Sequence, residues 1–240
     1  MRLRRALLVV FSLLFITPSL FAQKSNPTAK AATGVPPAVS LAGGCDQKRF
    51  LTKAYQDLLG RTLDSSGAAY WLGVMKNGAS RTQVASQMMR SAEYVNLRVR
   101  SLYSSYLRRP PSGSELSSFA GMLQQGASLE QVESLILGSN EYFKERGGGT
   151  NPGFIAALYQ DLLGRAADPQ AIAMFTQQLG AGSSRATIAQ QILTAPEARQ
   201  RQISALYSRY LHHAASGPPL PGGQEQVAAA IIGSEEYCRQ

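Results

Sequence analysis

From Phe50 onward the apolar side chains fall in a helical rhythm. Phe50, Leu51, Ala54, Tyr55, Leu58 and Leu59 occupy positions i, i+1, i+4, i+5, i+8 and i+9, one stripe of a helix that turns once every 3.6 residues. Gly60 ends the stripe and suits the left-handed C′ position. The same order returns at Phe154, Ile155, Leu158, Tyr159, Leu162 and Leu163, closed by Gly164. Asp64 opens a second predicted helix through Tyr70, Trp71, Val74 and Met75, stopped at Asn77-Gly78. Ser80 with Gln83 forms a capping box for a third that ends near Arg90, and Ser91 caps a longer one carrying Tyr94, Leu97, Leu102 and Tyr106. Pro110-Pro111 breaks that helix. Ser112 with Glu115, Ser128 with Gln131, Asp168 before Pro169, Ser184 and Thr194 mark those that follow. No period-two alternation occurs, so the expected fold class is all-α.

The pattern is also a repeat. Tyr-Gln-Asp-Leu-Leu-Gly-Arg stands at Tyr55–Arg61 and unchanged at Tyr159–Arg165, 104 residues on. Weaker copies, Leu102–Leu107 and Leu206–Leu211, lie 48 residues behind each. Four tandem units in the order A-B-A-B are expected, the last degenerate because Ser216–Pro221 replaces its second helix. Repeats of this length signal stacked supersecondary units, with an atypical terminal unit as a cap. Helices are expected to run directly from one unit into the next.

Composition sets where the chain goes. The basic start Met1–Arg5, the apolar run Ala6–Ile16 and the small-residue exit to Ala22 read as a signal peptide over 1–22. The run is too short for a membrane span. Residues 23–44, rich in Ala, Pro, Gly, Ser and Thr, lack the apolar content to fold and read as a tether. The remainder divides into a first repeat pair at 45–146, a Gly-rich hinge at 147–152 and a second pair at 153–240. Loss of the leader lowers the formal charge from +9 to +6, since it removes three arginines and no acids. The expected location is periplasmic or extracellular, with no transmembrane segment in the mature chain.

Candidate chemistry is sparse. A basic residue stands six positions after each signature tyrosine and a glutamate near each unit's end: Arg61 with Glu93, Arg109 with Glu141, Arg165 with Glu197, and His213 with Glu236. These pairs read as charge-assisted clasps between the ends of two helices; the alternative is a row of anion ligands. Trp71, Phe119 and Phe175 each follow a signature tyrosine by 16 residues and are expected as buried anchors. Arg98, Arg100, Arg108, Arg201 and Arg209 make the connecting helices basic and are candidate anion-binding residues. Asp64 and Asp168 read as N-caps rather than calcium ligands. His212-His213 lacks metal-ligand spacing, and no nucleophile motif or phosphate loop is present. No cofactor, metal or catalytic residue is expected. Cys45 and Cys238 bracket the helical region and, in an oxidising compartment, are expected to pair as a disulfide; two free thiols or an intermolecular bridge are the alternatives.

The pattern Tyr-x-x-Leu-Leu-Gly-Arg-x-x-Asp-x-x-Gly-x-x-x-Trp at Tyr55–Trp71, with Gly78–Ala85 and Ser91–Tyr94, resembles the bacterial family called domain of unknown function 4214. That family is similar in turn to the helical domain of phycobilisome linker polypeptides. The resemblance implies an all-α, exported and often surface-associated module, and it implies no activity. The function expected is a non-catalytic scaffold or protein-interaction module binding a protein or envelope polymer. The alternative is a polysaccharide- or polyanion-binding module using the Arg- and Tyr-bearing connecting helices. Nucleic acid is not the expected partner of an exported chain.

Overall fold

The computed structural model describes residues 45–216 and 220–240. The proposed leader at 1–22 and tether at 23–44 lie outside them. The described residues contain thirteen α-helices and one π-helical turn, and no strand. The first half holds α1 (Gln47–Leu59), α2 (Ser65–Lys76), α3 (Arg81–Met89), α4 (Ala92–Leu107), α5 (Gly113–Gln124), α6 (Leu129–Leu137) and α7 (Asn140–Glu145). The second holds α8 (Asn151–Leu158) running into the π turn Tyr159–Leu163, then α9 (Pro169–Gly180), α10 (Arg185–Leu193), α11 (Pro196–Leu211), α12 (Gln224–Ile232) and α13 (Glu235–Arg239).

The stripe read from the sequence is the buried face: α1 buries Phe50, Leu51, Ala54, Tyr55, Leu58 and Leu59, and its counterpart buries Phe154, Ile155, Leu158, Tyr159, Leu162 and Leu163. Helix starts follow their caps. Asp64, Ser80, Ser91, Ser112, Ser128, Asp168 and Ser184 each accept a backbone N–H of the first turn, satisfying donors that the helix cannot. Thr194 instead ends α10, donating its hydroxyl to Gln190 O at 2.7 Å, while Ala195 stands at the N-cap of α11 with no side-chain bond.

Helices α8 to α11, with the π turn, repeat the order and bounds of α1 to α4 at 104 residues. α4 and α11 are each 16 residues long and pass from one expected unit into the next. Between α7 and α8 the passage is different: the chain turns through Gly147–Thr150, and Asn151 and Pro152 already belong to α8. The expected hinge is therefore a tight connection, with Gly147 buried against Phe143 and Phe154.

The two expected repeat pairs are not separate bodies, since the described residues fall in one compact unit. One core cluster draws on α1 to α6 and on α11 to α13 together, and the other joins α7 to the helices from α8 to α11. The two halves meet at both ends. α6 packs on α10 and, at the other end, α12 packs on α3. The approach is close at both places: a β-carbon on Gly138 would collide with Ala186, and one on Gly233 with Thr82. The last helices close the molecule on its first, and Cys45 and Cys238 meet in a disulfide with Cα atoms 5.6 Å apart.

Candidate functional site

The recurrent charged pairs sit where the loop after one helix meets the first turn of another. Arg61 donates through Nε and Nη2 to Glu93 at 2.6 and 3.0 Å. Arg109 reaches Glu141 at 2.6 Å through both nitrogens, and Arg165 reaches Glu197 at 2.6 and 2.7 Å. His213 Nε2 and Glu236 Oε1 are 2.6 Å apart. Parallel N–H bonds to one carboxylate give these contacts a fixed geometry. Each guanidinium also lies over the tyrosine six positions before it: Arg61 over Tyr55 at 4.8 Å, Arg109 over Tyr103 and Arg165 over Tyr159 at 5.1 Å. The His213 ring meets Tyr207 at 5.9 Å.

Further carboxylates complete the constellation. Asp64 accepts from Arg61 at 2.8 Å and is held well below the ordinary carboxylate range by bonds from Ser66, the Gly67 N–H and Arg61. Glu115 accepts two N–H bonds from Arg109, which with the Ser112 N–H lowers it to about 2. The Arg165 guanidinium lowers Glu197, and the carboxylates raise Arg61, Arg109 and Arg165 further above their usual value.

The aromatic positions divide. Trp71 is 9% exposed and donates its indole N–H to Tyr55 Oη at 2.9 Å; Phe175 is 6% exposed and lies 6.5 Å from the Tyr159 ring. Phe119 departs from expectation. It packs on Tyr103 at 6.1 Å but is only half-buried, because Ala120 and Leu123 form the deep face of α5 and leave the ring at the rim.

The five other arginines do not form one row. Arg201 donates to Leu163 O at 3.1 Å and Arg209 to Asp57 O at 3.2 Å, so both cap carbonyls near helix C-termini. Arg98 points inward, its Nε buried and without a hydrogen-bond partner among the described residues. Arg100 and Arg108 share an open depression of about 510 Å³ with Ser104, Arg109 and Pro110.

A second constellation went unread in the sequence. α3, α6, α10 and α12 border a partly open cavity of about 480 Å³, lined by Met89, Leu129, Leu193, Gln190, Glu130 and Glu225 among others. Gln190 Oε1 is buried there without a partner among the described residues. Beside it, Glu133 is 5% exposed, accepts from Tyr106 Oη and, at 3.3 Å, from Gln224 Nε2, and is raised by burial. Burial likewise raises Glu225. A signal existed: at the fifth residue of the matching helices α3, α10 and α12 stand Ala85, Ala189 and Ala228. One glutamate among three alanines breaks the repeat where the four helices meet.

Among the described residues no group of three or more His, Cys, Asp or Glu could hold a metal ion, and no helix is long and apolar enough to cross a membrane. The model of the family described as Domain of unknown function (DUF4214) matches residues 39–98 and 133–202. No curated protein and no solved structure matches the chain.

Proposed function

This chain belongs to the domain of unknown function 4214 family, and we propose that it is an exported, non-catalytic helical scaffold or protein-interaction module of the cell envelope or extracellular space. The observation that carries this reading is the clasp geometry. The arginines that recur most regularly already hold carboxylates of their own chain at 2.6 to 3.0 Å, so the repeated chemistry holds helices in place and leaves no row of free ligands. The finer organisation belongs to the same reading: four units in the order A-B-A-B, the fourth without its second helix, supported by the return of α1 to α4 at 104 residues. The likeness to phycobilisome linkers extends to a docking role alone. Export is supported by the basic-apolar start of the sequence and by the cysteine pair.

A second reading keeps one observation in its favour. Arg100 and Arg108 line an open basic depression, which fits a polyanion or acidic polysaccharide. Capture from envelope extracts at low and high salt separates the two. A partner held at high salt supports the scaffold. Binding that collapses with salt and disappears in Arg100→Glu/Arg108→Glu supports the polyanion. Capture of nothing in either buffer sinks both, and a chain retained in the cytoplasm with Met1 still in place overturns export.

A further inference from the structure

The molecule contains the same junction twice. Where α7 leads into α8, Tyr142 donates its hydroxyl to Asp161 at 2.8 Å; where the chain ends meet, Tyr237 donates to Asp57 at 2.7 Å. Arg185 donates to Gly138 O at 3.2 Å and also to Asn140, and Arg81 donates to Gly233 O at 3.1 Å and also to Glu235. Ring pairs match as well: Tyr142 lies 6.0 Å from Phe154 and 6.4 Å from Tyr106, while Tyr237 lies 6.4 Å from both Phe50 and Tyr210. Each half therefore presents two complementary surfaces, and the other half takes both. Only the connection differs. In the first junction a chain segment runs from Phe143 to Gly149, whose N–H donates to Phe143 O at 3.0 Å; in the second, the corresponding places hold Cys238 and Cys45, joined by the disulfide.

We infer that the halves are exchangeable between copies: residues 45–146 of one chain can close on 150–240 of a second copy through both junctions, giving a swapped dimer. Every contact between halves in the monomer recurs in that dimer. The balance then rests on the connection and on concentration, since an exchanged element costs little beyond association entropy. Gly148 and Gly149, exposed and at φ 59° and 69°, form the turn that must extend; glycine adopts either conformation without a steric penalty. In the swapped dimer Cys45 of one chain faces Cys238 of the other, and two disulfides lock the pair. Each forms by thiol–disulfide exchange in which two protein thiols and one glutathione disulfide become one protein disulfide and two glutathione thiols.

The test mixes equal amounts of isotope-labelled and unlabelled chain, unfolds and reduces them, and refolds them with oxidised glutathione at low and high protein concentration. Monomer at low concentration is expected, with a dimer fraction at high concentration that rises several-fold. In that dimer, Cys45–Cys238 peptide pairs of mixed label should reach their statistical share. Deletion of Gly148 and Gly149, which shortens the turn, should raise the dimer fraction several-fold at low concentration. Dimers containing only same-label pairs, or monomer alone at every concentration, overturn the inference; the mixed-label readout on the unaltered chain decides it even where the deletion variant does not fold.

Discussion

Gly60, Arg108, Gly164 and His212 end the four equivalent helices, and all four are left-handed, at φ 67°, 56°, 68° and 57°. Two of them are not glycine. A β-carbon in that conformation costs roughly 1–2 kcal/mol, part of which a glycine returns as extra freedom of the unfolded chain. His212→Gly is accordingly expected to stabilise by about 0.5 kcal/mol, seen as a higher denaturant midpoint with an unchanged slope; a lower midpoint means that the imidazole makes a contact worth more than the strain. Next to it, His213 has Nδ1 2.6 Å from Ala214 O and Nε2 2.6 Å from Glu236. Both nitrogens can donate only in the imidazolium, and these two partners raise the pKa above 6.5, the carbonyl contributing most. A raised folded-state pKa means stability fully present below 6.5 and lost as pH climbs through the raised value. The melting temperature should therefore fall across that window. His213→Arg, which restores the residue of the other clasps, should flatten the profile relative to the unaltered chain, and an equal slope in both removes His213 as the cause.

Helix ends were the most legible elements, because a cap is a local contact between residues two or three apart. Ser80, Ser112 and Ser128 with their Gln or Glu partners form the reciprocal boxes expected of them. Where the sequence departs from the motif, so does the structure: Ala195 occupies the place of Ser91 and caps nothing. Ala195→Ser is expected to add about 1 kcal/mol, measured by denaturant unfolding, since Pro196 already fixes the first helical φ and Ser91 caps the matching helix. A gain below a few tenths would show that the backbone at 195 keeps the hydroxyl from the Ala198 N–H. What was not legible depended on distant neighbours. Tyr55–Leu59 and Tyr159–Leu163 are the same five residues, yet the first is α and the second π. Arg146 grips Asp161 at 2.8 Å in the second copy; in the first, the corresponding Asp57 meets Lys53 at 3.6 Å. Phe119 was likewise placed too deep, because periodicity names a face and not which of its residues the facing helix covers. The seam around Glu133 is formed by four helices remote in sequence, and only its departure from the alanine of the other copies marked it.

At the scale of the whole molecule, the repeat in the sequence implied stacked units with an atypical last one, the expected Cys45–Cys238 bond implied that the chain ends meet, and in the structure they do. Closure follows from duplication. If the surface of α6 and α7 fits α8 and α10, its copy on α12 and α13 fits α1 and α3, and two halves satisfy one another with nothing left over. α12 and α13 supply this surface for the last part of the chain, with Tyr237 on Asp57 and Arg81 on Gly233 O. In the chain-entropy model, a disulfide joining residues 193 apart adds roughly 5 kcal/mol, and it does so where the peptide link of the first junction would run. A circular permutant tests this equivalence: residues 149–238 joined to 45–148 by a five-residue Gly/Ser linker, the length of the segment between Phe143 and Gly149, with both cysteines changed to serine. Because the permutant leaves the first junction unlinked and closes the second, its unfolding midpoint should match that of the linear Cys45→Ser/Cys238→Ser protein rather than fall far below it. Loss of helical circular dichroism or of cooperative unfolding in the permutant alone would show that the two junctions, alike in their contacts, are unlike in strength.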